Sequence, residues 1–332
     1  MLVLLATLVS LAPPCTPDYA ATDAPAGFRR DSTRLWTLPQ GPANHRGRDA
    51  VLALGEPQWA IGKFAYGAVD KDLKEEDVAV LLRGGNCGPW RLLAMARTTR
   101  EGDHDDVYGV NDDGGRVFLE LKPPLAIGRH KLAFEVQGDH SLAESAITMV
   151  SPATDTVVFD IDGTLTTSDG ELLKQIEALG HQGVYTPEAW PKANAVALRY
   201  AEGGYLVVYV TGRPDNLRTV TRDWLIAKGF PAGPVLFTDH LHEAVPGAAV
   251  AGFKARALAR LKKEGKLNLV VAYGNAETDI DAYLGAGLPA SSVYMLGPHG
   301  GNRATDAITY AEHLKSLSKL PRAKVPAPPG AW

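Results

Sequence analysis

Two aspartates, Asp160 and Asp162, lie in the segment Val157-Val-Phe-Asp-Ile-Asp-Gly-Thr-Leu-Thr166, directly after an apolar stretch. Residues two apart in an extended segment point the same way, so both carboxylates can face one bound group. One can attack phosphorus and form an aspartyl-phosphate, while the other protonates the leaving oxygen and later activates water. The alternative is an Asp-Gly turn with two solvated carboxylates. This short motif alone leaves the two interpretations evenly balanced.

A second group of polar residues, Thr211-Gly212-Arg213, follows the apolar stretch from Tyr205 to Val210. A hydroxyl and an adjacent backbone N–H at the end of a strand can bind a phosphoryl oxygen. We therefore predict that Thr211 takes part in catalysis. The same three residue types also form ordinary strand-to-helix turns, so this signal is weak by itself. The residues predicted to contact substrate are Gly163, Thr164, Gly212 and Arg213.

Two further segments offer a cation and metal ligands. Lys254, near the start of a predicted helix, can neutralise a nucleophile and a phosphoryl group, although a lone lysine is usually solvated. Asn275 and Asp279 are four residues apart, which puts them on one face of a beginning helix. With Asp160 and Asp162 they form the predicted ligand set of an oxygen-rich Mg²⁺ site.

For these candidate site residues to act together, strands and helices must bring them to the same edge of a sheet. From residue 152 to about 320 the chain alternates between apolar strands and helical segments. Continuously apolar strands such as Tyr205–Val210 are typical of parallel strands covered on both faces. We therefore predict an α/β domain with a doubly wound parallel sheet, whose ligands bind at the carboxyl ends of the strands.

The preceding part of the chain has a different pattern. Residues 56–151 contain short alternating apolar runs separated by turn residues, which predicts a small all-β sandwich domain. Residues 27–55 lack a sustained period and are predicted to be a flexible leader. The Pro-rich stretch 321–332 is predicted to be a disordered tail.

The first residues and the composition bear on location and partners. The apolar start MLVLLATLVSLA resembles the core of a secretory signal, so we predict a signal peptide over residues 1–26, an exported protein and no transmembrane span in the mature chain. A positively charged start is missing, and a disordered apolar tail is the alternative. The net charge of −4 without long basic runs argues against a nucleic-acid partner. Cys15 and Cys87 are too few for a zinc cluster.

The order of the four motifs resembles the haloacid dehalogenase (HAD)-type phosphohydrolase superfamily, whose signature is a DxD loop, a Ser/Thr, a Lys and an acidic metal loop. The resemblance implies that Asp160 is the nucleophile and that Thr211 and Lys254 assist it. Asn275 stands where the superfamily often has Asp. That reduces the charge of the metal site without removing Asp279.

A narrower resemblance covers residues 157 to about 300. Val157–Thr166, Tyr209-Val-Thr-Gly-Arg-Pro-Asp215 and Tyr273-Gly-Asn-Ala-Glu-Thr-Asp279 are similar to the domain shared by lipin phosphatidate phosphatases and Nir/rdgB-type phosphatidylinositol transfer proteins. The preceding region, with Asn111-Asp-Asp-Gly-Gly-Arg116 and Val136-Gln-Gly-Asp-His140, also resembles the Nir/rdgB family.

The two families imply different functions. Lipins hydrolyse phosphatidate with both aspartates present, whereas the Nir/rdgB domain is regarded as a phosphatidate-binding module. With both Asp160 and Asp162 present, we expect a Mg²⁺-dependent phosphatase acting on a phosphomonoester, of which phosphatidate at a membrane surface is one candidate. The alternatives are a non-catalytic phosphatidate-binding module and a scaffold whose sandwich is the functional part. Loop residues His181, Gln182 and Tyr185, and His299, are weaker candidates for substrate contact.

Overall fold

The computed structural model describes residues 19–83, 88–180, 185–238 and 247–332. Most of the predicted signal peptide, together with Cys15, Cys87, His181 and Gln182, lies outside these ranges. Export and loop contacts by His181 or Gln182 therefore stay predictions. Among the described residues, no helix has both the length and the apolar character needed to cross a membrane.

The first half of the chain is built from ten strands in small, mostly antiparallel sheets. The larger sheet has the order β2-β10-β9-β6-β7, and a second has the order β1-β3-β8. Strands β4 and β5 form a separate pair. The strands are β1 Arg46–Gly47, β2 Ala50–Ala53, β3 Trp59–Lys63, β4 Ala65–Tyr66, β5 Lys71–Asp72, β6 Asp77–Arg83, β7 Trp90–Arg97, β8 Arg116–Glu120, β9 Gly128–Val136 and β10 Leu142–Val150.

The core of this half follows the alternation of the strands. Leu132 and Phe134 of β9 and Ile147 and Met149 of β10 are fully buried in one apolar cluster with Leu52. Successive side chains of a strand point to opposite faces, so the residues between them lie on the other face of the sheet. The β-rich domain predicted from the sequence is confirmed.

The domain begins earlier than predicted. The stretch 27–55 was expected to be a flexible leader, but it contains β1 and β2. Strand β2 pairs in parallel with β10, from Ala50 opposite Ile147 to Ala53 opposite Val150. Burial of Val51, Leu52 and Ala53 stabilises this pairing. Short helical turns at Thr33–Thr37 and Leu38–Gln40 precede these strands, so the expectation is wrong from Thr33 onward.

The second half contains a six-stranded parallel sheet with the order β13-β12-β11-β14-β15-β16. The first three strands along the chain are adjacent, so their carboxyl ends meet at one edge. This confirms the predicted α/β class with a parallel sheet. The strands are β11 Asp155–Asp160, β12 Leu206–Pro214, β13 Val235–Thr238, β14 Asn268–Gly274, β15 Val293–Met295 and β16 Asp306–Ala307.

Helices cover both faces of this sheet. One apolar cluster joins Phe159 and Tyr209 to Val196 of α2 and Trp224 of α3. The other joins Val158 and Val208 to Phe253 and Leu258 of α4. The two clusters explain why the central strands are apolar without alternation. The helices are α1 Gly170–Gly180, α2 Ala193–Glu202, α3 Arg218–Ala227, α4 Ala248–Lys263, α5 Glu277–Gly285 and α6 Tyr310–Ser316.

The stretch 321–332, predicted to be a disordered tail, is instead packed along the α/β domain. The backbone N–H of Ala323 donates to Gly203, and that of Ala327 to Gly204, at 2.9 and 2.8 Å. The Trp332 ring stacks on Tyr209 with centroids 6.1 Å apart. The prolines keep this stretch extended and without regular structure. Its contacts with the α/β domain hold it in place, which the composition alone did not predict.

Asp49 links the two domains. Its Oδ1 accepts from the Ala146 N–H of the sandwich at 2.7 Å and from Arg218 Nη2 of α3 at 2.5 Å. Its Oδ2 accepts from the Val235 N–H of β13 at 3.1 Å. Burial opposes ionisation, but Arg218 and Arg129 outweigh it and hold the pKa of Asp49 below its usual range. This carboxylate therefore satisfies polar groups of both domains at once.

Candidate active site

Asp160 is the last residue of β11, and its side chain lies beneath the edge of the sheet, with the residue 2% exposed. Lys254 Nζ donates to Asp160 Oδ1 at 2.6 Å, and Thr164 Oγ1 donates to Oδ2 at 3.0 Å. Burial raises the pKa of the Asp160 carboxyl, and the Lys254 ammonium opposes this effect and favours the ionised form. The predicted nucleophile is thus a desolvated carboxylate held by one cation and one hydroxyl.

Lys254 reaches this position from the first half of α4. Its Nζ also donates to Asp279 Oδ1 at 2.5 Å, so the ammonium lies between two carboxylates. Burial alone would lower the pKa of Lys254, but the carboxylates outweigh it and the pKa is raised. A lysine that neutralises two carboxylates in a dry site stays charged at neutral pH.

Asp279 lies in the first turn of α5 and is fully buried. Its Oδ2 accepts from the backbone N–H groups of Asn275 and Ala276, both at 3.0 Å. The carboxylate therefore closes the turn after β14 and positions Lys254. It was predicted to be a metal ligand, but both of its oxygens have these other partners.

Asn275 faces a cluster of oxygens formed by the loop after β11. The inward atom of its amide lies 2.9 Å from the Asp162 carbonyl oxygen, 3.2 Å from Asp160 Oδ2 and 3.0 Å from Thr164 Oγ1. An inward nitrogen would donate to these oxygens, and an inward oxygen would complete an all-oxygen pocket. Gly163 permits this approach: its φ is 71°, and a Cβ there would lie 2.1 Å from Asn275 Nδ2.

The Asp162 side chain points away from this cluster, toward Arg213. Arg213 Nε and Nη2 donate to Asp162 Oδ1 at 3.0 and 2.7 Å, and Nε also lies 3.0 Å from Oδ2. Thr211 Oγ1 donates to Asp162 Oδ2 at 3.2 Å. Asp162 thus contributes its carbonyl oxygen to the cluster, while its carboxylate, predicted to be a metal ligand, is bound by Arg213.

Arg213 does not line an open site as predicted. The residue is fully buried, and its Nη1 donates to Gln175 Oε1 and Thr221 Oγ1, each at 3.0 Å. The motif Thr211-Gly212-Arg213 predicts the position of the arginine along the chain but not the direction of its side chain. Its role in this structure is to hold Asp162.

Of the other residues predicted to contact substrate, Thr164 lies in the loop after β11, and the rest make contacts outside the oxygen cluster. Thr164 lies in the cluster, and the carbonyl of Thr164 accepts from Tyr310 of α6 at 3.1 Å. Gly212 packs against Val250, where a Cβ would lie 3.0 Å from a methyl group. Tyr185 donates to Glu171 at 2.6 Å, and His299 contacts Glu277 at 3.2 Å.

Sequence reasoning missed Asp169, whose Oδ1 lies 3.3 Å from the outward atom of the Asn275 amide, and Gln175 and Thr221, which bind Arg213. These positions belong to no motif and come from α3 and from the segment of α1, which was expected to be a loop. Among the residues described, no group of three or more His, Cys, Asp or Glu side chains is arranged to hold a metal ion. A metal here would depend on carbonyl and amide oxygens as well.

Comparison with known proteins agrees with this two-domain arrangement. Residues 43–149 match the family model of the PITM 1-3 β-sandwich domain, and residues 157–297 match that of the PITM 1-3 LNS2 domain. Several of the relatives found are named membrane-associated phosphatidylinositol transfer proteins.

Three relatives illustrate the likeness. Human membrane-associated phosphatidylinositol transfer protein 1 is 33% identical over 77% of this chain and 18% of its own length. The mouse protein 3 of the same name is 29% identical over 85% of this chain and 27% of its own. Drosophila melanogaster protein retinal degeneration B is 28% identical over 88% of this chain and 21% of its own length.

The chain therefore spans only about a fifth to a quarter of the length of these relatives. The matches follow the boundaries seen in the structure, including the early start of the sandwich. Residues 43–149 and 157–297 are thus similar to the β-sandwich domain and the LNS2 domain of PITM 1-3, respectively.

Proposed function

We propose that the α/β domain is a HAD-type, Mg²⁺-dependent phosphatase that hydrolyses a phosphomonoester through an aspartyl-phosphate at Asp160. The observation that carries the proposal is the surroundings of Asp160. A carboxylate at the end of the central strand is desolvated and contacted by Lys254 and Thr164. Phosphoryl transfer depends mainly on positioning and on neutralising negative charge, and Lys254 supplies a fixed cation for both.

The side chains fit a two-step displacement. An Asp160 oxygen forms a bond to phosphorus while the bond from phosphorus to the leaving oxygen breaks. The leaving oxygen takes a proton from Asp162, and water then releases phosphate from Asp160 as Asp162 takes the proton of that water. Because Arg213 holds the Asp162 carboxylate in this conformation, Asp162 must leave Arg213 before it can act.

A divalent cation fits the oxygen cluster. Asp160 Oδ2, the Asp162 carbonyl and the Asn275 amide oxygen, if it faces inward, would hold Mg²⁺, which prefers oxygen ligands. The ion would neutralise phosphoryl oxygens when bound. With an inward nitrogen, the same amide would instead satisfy the cluster without a metal.

Titration calorimetry with Mg²⁺ alone can separate these cases. We expect Asn275→Asp to tighten Mg²⁺ binding about tenfold or more, and Asn275→Leu to abolish it, because the first adds a charged oxygen and the second removes the ligand. Equal Mg²⁺ affinity in all three proteins would exclude Asn275 as a ligand.

The second candidate is a phosphatidate-binding module with little turnover. The bidentate contact between Arg213 and Asp162 favours it, because the group needed for proton transfer is occupied. The names of the relatives, which are phosphatidylinositol transfer proteins, also favour a lipid ligand. In this case Lys254 and the N–H groups of the loop would bind the phosphate without breaking it.

The deciding experiment uses the whole chain with a chromogenic phosphomonoester and Mg²⁺, and phosphatidylcholine vesicles with or without phosphatidate. We expect turnover in the wild type and a loss on the order of 10³-fold in Asp160→Asn. Asp223→Asn, at an exposed position on α3, is the matched control and should have the turnover of the wild type. Phosphatidate-dependent vesicle binding without turnover would support the module. Unchanged turnover in Asp160→Asn would refute the nucleophile assignment.

A further inference from the structure

Arg129, at the start of β9, lies on the face of the larger sheet that contacts the α/β domain. It is directly opposite Thr148 of β10, so the two side chains are neighbours on that face. Arg129 is only 7% exposed and Thr148 only 2%. The strand thus buries a guanidinium at a junction between domains.

The other arginines at this junction have carboxylate partners. Arg218 pairs with Asp49 at 2.5 Å, and Arg222 pairs with Glu144 at 2.6 Å. Arg218 and the backbone N–H groups of Ala146 and Val235 bind the Asp49 oxygens, and Arg129 interacts with Asp49 only through space. Burial lowers the pKa of Arg129, which expresses the cost of enclosing this charge.

Within the described ranges, the Arg129 guanidinium has no ion pair. Its Nε and the Thr148 hydroxyl are both enclosed without a hydrogen-bond partner. The contact recorded for the guanidinium is with the Trp332 ring, whose centroid is 5.9 Å from Cζ. A buried polar group is stabilised by a hydrogen-bond partner, and these two neighbouring groups can share one oxygen-bearing partner.

Both groups line a cleft of about 340 Å³ that opens to solvent. Its walls are mainly apolar and come from Leu206, Val207 and Pro231 of the α/β domain and from the end of the chain, 327–330. Arg129 is the single charged residue among the lining residues of this cleft. The cleft is separate from the Asp160 site, with which it shares no lining residue.

We propose that this cleft binds an organic carboxylate with an apolar body. A guanidinium presents parallel N–H donors that match a carboxylate, and the Thr148 hydroxyl can donate a further hydrogen bond. One positive charge matches a monoanion better than a phosphate dianion. The apolar walls account for a hydrocarbon portion, because such pockets combine apolar surface with a few polar anchors.

The test titrates the whole protein with octanoate, using thermal unfolding and tryptophan fluorescence as readouts. We expect saturable stabilisation and a fluorescence change that is lost in Trp332→Phe, because Trp332 contacts Arg129. Octanol has the same chain without the charge, and inorganic phosphate has charge without the chain. Neither should bind measurably.

Two variants assign the effect to this cleft. Arg129→Met keeps the length of the side chain and should weaken octanoate binding at least tenfold, and Thr148→Val should weaken it severalfold. Asp160→Asn should bind octanoate as the wild type does, which separates this proposal from the proposed phosphatase function.

Octanoate binding of equal strength in folded Arg129→Met, or no octanoate binding to the wild type, would overturn the proposal. Phosphate binding that depends on Arg129 would overturn the assignment to a carboxylate.

Discussion

The protein buries two cations in different ways, one in the candidate active site and one between its domains. Lys254 lies between the carboxylates of Asp160 and Asp279, at 2.6 and 2.5 Å. Arg129 is buried to a similar degree without an ion pair among the described residues. The charge of Lys254 is thus compensated by two carboxylates in direct contact, whereas the charge of Arg129 interacts with Asp49 only through space. Removing each cation should therefore have opposite effects on stability.

The largest effect is expected for Lys254→Met. Two buried carboxylates would lose their cation, so we expect a loss of about 3–5 kcal/mol in the free energy of unfolding and a loss on the order of 10³-fold in turnover. Urea unfolding and the phosphomonoester assay measure the two effects. Lys263→Met, at an exposed position of α4, should change neither. A Lys254→Met protein as stable as the wild type would contradict the compensation described.

The same comparison can be made at the domain junction. Asp49→Asn should lower the free energy of unfolding by about 3 kcal/mol, since it removes the charge that Arg218 binds. Urea unfolding of both domains measures it. Glu144→Gln breaks the more exposed ion pair with Arg222 and should lower the free energy of unfolding by less than about 1 kcal/mol. Equal losses in the two variants would show that burial does not distinguish the pairs.

His45 shows a third solution, in which a buried group stays neutral. Burial lowers the pKa of His45 to about 4, compared with about 6.5 in an unfolded chain. Between these values the unfolded chain binds more protons, so stability should fall as the pH decreases from about 6.5 to about 4. We expect a loss of about 1.5 kcal/mol between pH 6.5 and 5. In His45→Gln that part of the pH dependence should disappear, and its persistence would assign it to another group.

The smallest effect is expected for Arg129→Met, and its sign is reversed. Replacing a buried unpaired charge with an apolar chain of similar length should leave the free energy of unfolding unchanged or raise it by about 1 kcal/mol. Thermal unfolding without added ligand measures this. A loss of more than about 2 kcal/mol would mean that Arg129 has a structural partner and would remove the contrast with Lys254.

Much of the fold could be predicted because its signals are local. The apolar strands β11, β12 and β14 and the short motifs that follow them are continuous in sequence, and Asp160, Lys254 and Asp279 meet as expected. The orientation of Arg213 could not be predicted, because its partners Gln175 and Thr221 come from two different helices. Strand β1 was missed because it has only two residues, and β2 because its partner β10 is parallel and remote in sequence.

Asp49 also determines what can be studied in isolation. Its carboxylate, supplied from the sandwich, accepts the Val235 N–H of a strand in the other domain and binds Arg218. A fragment starting in the linker at residue 152 would lose an acceptor that its own sequence does not supply. We expect the two domains to unfold in one cooperative transition, so the boundary that is visible in the sequence is a poor place to divide the protein for expression.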